Sequence, residues 1–228
     1  MLQADTLQFL RDLKENNHKA WFDRHKDRYE RLRADYHQLA DALIAAMISH
    51  DATLEGLTAR DTTYRIYRDV RFSKDKTPYK THLGVVLQTG GKKQPFCAYY
   101  LHIEPGHSHA GGGLWMPENR ILSKVRKEIH YFYDEFKDIV EAADFKKTFG
   151  ALEIMDGQKL SRPPKGYEAD DPAIEYLKLK SILASKSISD ELITSPKLVD
   201  EVIRTFRALQ PMVTFINRGI LSNEYGGI

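Results

Sequence analysis

Lys80-Thr81-His82-Leu83-Gly84-Val85-Val86-Leu87-Gln88 and, a few residues on, Phe96-Cys97-Ala98-Tyr99-Tyr100-Leu101-His102-Ile103-Glu104 decide how the chain reads. In both runs apolar side chains recur every second residue, the period of a strand with one face turned inward. The phasing sends Thr81, Leu83, Val85 and Leu87 inward from the first run, and Cys97, Tyr99, Leu101 and Ile103 inward from the second. Lys80, His82, Gln88, Tyr100, His102 and Glu104 fall on the opposite face. Turn signals at Gly90-Gly91 and Glu104-Pro105-Gly106 separate the runs, and short connections favour antiparallel pairing. Alternation over residues 63–73 predicts a strand before them, and residues 108–116 read as a strand after them.

Helical periods flank this block. Thr6 caps a first helix holding Leu7, Phe9, Leu10 and Leu13, which Asn16-Asn17 ends. A longer helix is expected over residues 19–49, where Tyr29, Leu32, Tyr36, Leu39, Leu43 and Met47 follow at steps of three and four. Trp21 and Phe22 read as core anchors, and Arg24, Asp27, Glu30 and Arg31 as the outer face. Beyond the sheet, Pro117 opens a helix with Ile121, Leu122, Val125 and Ile129. Further helix is expected over 133–142, near Pro172 and over 196–220, with Pro211 kinking or breaking the last one. The expected fold class is α+β: a mostly antiparallel central sheet over residues 63–116, packed with N-terminal helices (6–49) and a C-terminal helical region (117–220). One domain over 1–228 is expected.

The 228 residues are 42% hydrophobic and 29% charged, an ordinary globular balance that excludes intrinsic disorder. Cys97 is the one cysteine, so no intrachain disulfide forms; it reads as a buried, inert thiol. Residues 1–13 lack the pattern of a signal peptide, and the most apolar stretch, 42–48, is too short to span a bilayer. A cytoplasmic protein without a membrane partner is expected. The net charge of +2 argues against a general nucleic-acid binder and leaves any electrostatic function to local clustering.

Such a cluster exists. Residues 65–80 hold Arg65, Arg68, Arg71, Lys74, Lys76 and Lys80 against Asp69 and Asp75, a local net charge of +4. As a strand, this segment buries Tyr64, Ile66, Val70 and Phe72 and displays Arg65, Tyr67, Asp69 and Arg71; Arg68 breaks the pattern, through a bulge or as a buried, paired group. If the strands are neighbours, one sheet face gathers these groups with Lys80, His82, Tyr100, His102 and Glu104. Guanidinium forks and hydroxyls suit phosphate or carboxylate, with His82 and His102 as candidate proton carriers and Asp69 and Glu104 as their orienting carboxylates. The ligand-binding candidates are therefore Arg65, Tyr67, Arg68, Arg71, Lys74, Lys76, Lys80 and Tyr100. A polar face of surface ion pairs is the plain alternative.

Gly111-Gly112-Gly113 before Leu114-Trp115-Met116-Pro117 fits neither a P-loop nor a dinucleotide fingerprint and reads as a flexible or bulged strand. His102, His107 and His109 form a loose set without a cysteine or a tight group of carboxylates, so no metal and no cofactor are expected. The reading that follows is a protein that binds, and if chemistry occurs acts on, a small anionic ligand. A nucleic-acid-binding module and a non-catalytic interaction domain remain as alternatives.

Several motifs together carry a resemblance. They are Asn16-Asn17, Trp21-Phe22 with Lys26 and Tyr29, the whole run from Arg65 to Thr81, Gly111-Gly112-Gly113-Leu114-Trp115, and Pro164-Lys165-Gly166-Tyr167. The chain resembles the family catalogued as domain of unknown function 2461 over nearly its whole length. His25 departs from the family pattern, which has Asn before the Lys. The resemblance implies a single-domain, cytoplasmic protein. It implies no reaction and no catalytic residues.

Overall fold

A computed structural model describes residues 2–222. The helices are α1 (Ala4–Glu15), α2 (Lys19–Arg24), α3 (Lys26–Ile48), α4 (Ala59–Thr62), α5 (Asn119–Tyr131), α6 (Tyr133–Glu141), α7 (Ala143–Phe149), α8 (Ile174–Leu177), α9 (Asp190–Ile193) and α10 (Leu198–Leu221). The strands are β1 (Leu83–Leu87), β2 (Ala98–Ile103), β3 (His109–Leu114) and β4 (Ile182–Ser187), forming one antiparallel sheet in the order β1-β2-β3-β4. The fold is α+β, as the alternation and the helical periods predict. Among the described residues no helix is long and apolar enough to cross a membrane.

The chain divides into two compact units. The first comprises Met1–Lys92, Tyr100–Ala110 and Ser187–Arg204; the second comprises Lys93–Tyr99, Gly111–Lys186 and Thr205–Ile228. The ends of the 1–228 span, residue 1 and residues 223–228, lie outside the described residues.

In the first unit the apolar stripe of α3 buries Tyr29, Leu32, Tyr36, Leu39, Leu43 and Met47, the residues whose spacing marks it. The helix expected over 19–49 is broken at His25, which takes φ −115° and ψ 21° between α2 and α3. Its ring stacks on Trp21 at 4.1 Å and its Nδ1 lies 2.8 Å from the Trp21 carbonyl, so the side chain packs back against α2 where the helix breaks. Asn17 holds the backbone of Tyr79 at two points, donating to its carbonyl (2.9 Å) and accepting from its N–H (3.0 Å). Phe22 then stacks on Tyr79 at 4.1 Å, so the early Asn and Phe motif positions anchor the segment that follows Pro78.

The strand expected over 63–73 is absent. Residues 66–68 and 78–80 make a short antiparallel contact, with Lys80 N–H donating to the Ile66 carbonyl (2.8 Å) and Arg68 N–H to the Pro78 carbonyl (2.9 Å). Isolated bridges join Tyr67 to Tyr79 and Thr63 to Val85. Pro78 has no N–H to extend the ladder, and the chain leaves it for a loop. Of the supposed inward set only Ile66 is buried; Tyr64 is exposed and Phe72 is 96% exposed at the loop. Gln88, phased outward, is buried instead and donates to the Gly91 carbonyl.

In the second unit the three glycines are explained by spacing between strands. A Cβ on Gly111 would stand 2.1 Å from the Ala184 carbonyl oxygen, on Gly112 2.0 Å from that of Ala98, and on Gly113 2.0 Å from that of Ile182. Gly112 and Gly113 also hold φ of 147° and 133°, a region that L side chains avoid. The triplet is a strand segment built for close approach. Its partner β4 is unforeseen by the helical reading of the last half. Helix α10 continues through Pro211, which does not break it. On it Arg218 reaches Glu128 of α5 (2.5 Å) and Glu135 of α6 (2.7 Å). Cys97 is fully buried, and burial pushes its thiol up.

Candidate functional site

A polar edge runs along α3 and shares Tyr29 and Tyr36 with the buried stripe. Lys26, Tyr29, Glu30, Arg33, Tyr36 and His37 follow at helical steps and line one side of a cleft of about 710 Å³ in the first unit. The other side is the segment carrying Tyr64, Arg65 and Tyr67, with Lys80 beside it and Arg60 and Lys92 at its margin. Phe22, Ile66 and Leu83 supply apolar surface. Six lysine and arginine side chains thus face the cleft against one carboxylate, Glu30. Glu30 is itself held by Arg33 at 2.7 Å. Among the described residues, no carboxylate forms an ion pair with Lys26, Arg60, Arg65 or Lys80.

The electrostatics of the cleft follow. Burial and the neighbouring Arg65 hold the Lys80 ammonium below its ordinary range, and its Nζ lies over the Tyr64 ring at 5.0 Å. Burial, then Arg33 and Arg60, keep His37 below the usual imidazole value. Like charges that depress one another's protonation are what an anion relieves. Tyr36 fixes the backbone at the back of the site: its hydroxyl donates to the Gly84 carbonyl (2.5 Å) and accepts from the N–H of Gly84 (3.2 Å) and Tyr64 (3.3 Å).

The rest of the basic segment is spent on its own loop. Arg68 donates through Nη1 to Asp75 (2.5 Å), to the Thr77 carbonyl (3.1 Å) and to the Thr77 hydroxyl. Arg71 pairs with Asp69 at 2.6 Å, and Lys76 donates to the Val70 carbonyl at 2.9 Å. Lys74 is exposed on the loop and does not line the cleft. Of the sequence candidates, Arg65, Tyr67 and Lys80 therefore meet in the cleft, whereas Arg68, Arg71, Lys74 and Lys76 do not. The cleft lies between α3 and the 63–67 segment, and is not the sheet face that strand phasing assembled.

His82, Tyr100, His102 and Glu104 come together in a separate cluster of the first unit. The Tyr100 hydroxyl lies 3.0 Å from His102 Nδ1, and His102 Nε2 lies 3.2 Å from Glu104 Oε2. His82 and His109 flank His102, each with ring centroids 4.7 Å away. Burial, reinforced by His102, pulls His82 down to about 4. Burial also lowers His102, against the pull of Glu104, and pushes Tyr100 up to about 12. At neutral pH both imidazoles are unprotonated and the phenol keeps its proton. Asp69 belongs to neither place: it is exposed and occupied by Arg71.

Lys26, Arg33, His37 and Arg60 escaped the sequence reading. For the three on α3 the signal is the spacing Lys26-x-x-Tyr29-Glu30-x-x-Arg33-x-x-Tyr36-His37, a polar edge that shares Tyr29 and Tyr36 with the apolar stripe; Arg60, on α4, lies outside that pattern. Residues 5–215 match the family described as conserved hypothetical protein (DUF2461). No curated protein and no solved structure matches the chain.

Proposed function

The chain belongs to the DUF2461 family, which carries no reaction with it, and we propose that its function is to bind a small phosphate- or carboxylate-bearing ligand in the cleft between α3 and the 63–67 segment. One observation carries this reading: Lys26, Arg60, Arg65 and Lys80 face a shared hollow in which the one carboxylate is already taken by Arg33. Cations left together without counter-charge repel one another and gain from a polyvalent anion. Arg65 supplies a planar fork for two oxygens, Lys80 a point charge at the less exposed end, and Tyr64 and Tyr67 flat surfaces for an organic moiety.

Calorimetric titration of the full chain with pyrophosphate, alongside a panel of phosphorylated and carboxylated metabolites, tests the reading. Arg65→Ala and Lys26→Ala are each expected to weaken the best binder by about tenfold or more, the value of a charge-assisted hydrogen bond. Equal affinity in both variants defeats the proposal. The exposure of Tyr64 and Tyr67 beside these cations favours single-stranded nucleic acid as a second reading. It is separated by length: oligonucleotides then bind far more tightly than mononucleotides, and the affinity falls steeply with salt.

A further inference from the structure

We propose that His82, His102 and Glu104 form a binding site for a first-row divalent transition-metal ion. One ring nitrogen from each histidine and one carboxylate oxygen lie within 4.8 Å of one another. His102 Nε2 and Glu104 Oε2 are already 3.2 Å apart. Two ligands of a tetrahedral ion at ~2.0–2.1 Å stand about 3.3 Å from each other, so this pair has the spacing that coordination requires. His82 closes the set through rotation of its side chain.

The surroundings match what metal-bound imidazole needs. With Nε2 turned to the ion, His102 Nδ1 is the nitrogen that bears the proton, and the Tyr100 hydroxyl at 3.0 Å is there to receive it. Such a partner fixes tautomer and ring orientation. His109 stacks on the same ring at an interplanar angle of 16° and limits its rotation. Glu104 keeps its second oxygen, Oε1, 4.0 Å from Lys14 Nζ.

A hydrogen-bonded chain from Tyr100 through His102 to Glu104 would exist for stability alone, but it gives His82 no part. The His82 ring makes no hydrogen bond among the described residues, although it lies against that of His102. An ion between them gives both imidazoles a role. Two nitrogens and one carboxylate oxygen suit Zn²⁺, Co²⁺ or Fe²⁺ better than Mg²⁺ or Ca²⁺, which prefer all-oxygen shells. Three protein ligands leave a further position for water or substrate. A hollow of about 330 Å³ lined by Glu104, Thr81 and Lys14 opens on the Glu104 side of the set.

Titration of the chelator-stripped full chain with Co²⁺, followed by its visible absorption, and with Zn²⁺ by calorimetry, tests the site. One equivalent is expected, with intensity typical of four-coordination. His82→Ala, His102→Ala and Glu104→Gln should each weaken binding by about a hundredfold, and Tyr100→Phe by about tenfold. His130→Ala, at a histidine bound instead to Asp171, should leave the titration unchanged. Long-range nitrogen–proton NMR of the unmodified chain covers the case in which a variant does not fold: Zn²⁺ should shift the ring nitrogens of His82 and His102 selectively. Absence of one-equivalent binding, binding that survives these three substitutions, or shifts confined to other histidines overturns the proposal.

Discussion

Arg65 and Arg68 are three residues apart, carry the same charge and have opposite fates. Arg68 is consumed by Asp75 and Thr77, while Arg65 faces the cleft with no carboxylate to hold it. Charge counting along residues 65–80 weighs them equally, because it registers how many cations a segment has and nothing about which acids fold back onto them. The difference is measurable. Arg65→Ala should weaken anion binding about tenfold while changing stability by less than ~0.5 kcal/mol, the usual effect of a surface substitution. Arg68→Ala should do the reverse, lowering the urea midpoint and leaving intrinsic affinity nearly unaltered; calorimetry and urea denaturation on the two variants read both quantities. Tyr36 makes a third case. Its hydroxyl satisfies the buried backbone of Gly84 at both ends and also the Tyr64 N–H, so Tyr36→Phe leaves polar groups without partners. A loss of ~1–3 kcal/mol in urea denaturation is expected, and a cost near zero would show that these bonds contribute nothing net.

At the scale of elements, two periodicities match the structure and one extends further in the sequence than in the fold. The apolar stripe of α3 and the alternation of β2 are both realised, because burial on one face is what generates those patterns. The alternation at 63–73 has the same form, yet the segment bends away after Arg68, since a strand also needs a partner with donors and Pro78 lacks one. The loop that results is organised by Asp75, whose carboxylate accepts from Thr77 N–H (2.9 Å), the Thr77 hydroxyl (2.9 Å) and Arg68. Those bonds, led by the Thr77 amide and the Arg68 guanidinium, depress its pKa from 3.8 to about 2. The unfolded chain takes up this proton at the higher pH, so the stabilisation is complete above 3.8 and is lost as pH falls toward about 2. The Thr77 amide resonance should therefore titrate with a midpoint near 2. In Asp75→Asn that titration should vanish, and the amides of Arg68 and Lys80 should exchange faster already at neutral pH. A midpoint at the ordinary carboxylate value would mean that the loop is not built around this group.

Across the whole molecule, what escaped the sequence is what joins distant parts of it. Ile182 and Ala184 alternate with less buried neighbours in β4, but a six-residue strand containing Ser185, Lys186 and Ser187 has little apolar signal of its own. It is recognisable only from Gly111 and Gly113, about seventy positions earlier, whose missing side chains make room for its carbonyls. The histidine cluster shows the same limit: strand phasing puts His82 and His102 on one side of their runs, but how far they lie from the basic cleft depends on the path of the chain. That path makes a prediction about folding. The boundaries between the two compact units fall inside β2, β3, β4 and α10. A strand or helix keeps its hydrogen bonds by continuing, so a boundary drawn through four such elements is a poor place for the chain to come apart. Urea unfolding of the full chain should be a single transition, with far-ultraviolet circular dichroism and tryptophan fluorescence superimposing. A fragment ending at Met116 keeps β1, β2 and β3 but removes β4, and leaves the glycine-lined edge of β3 with unpaired backbone groups and no side chains to shield them. That fragment should aggregate or unfold without cooperativity. Two separated transitions in the full chain, or a fragment that melts cooperatively, would show that the units fold independently and that the expectation of one domain fails.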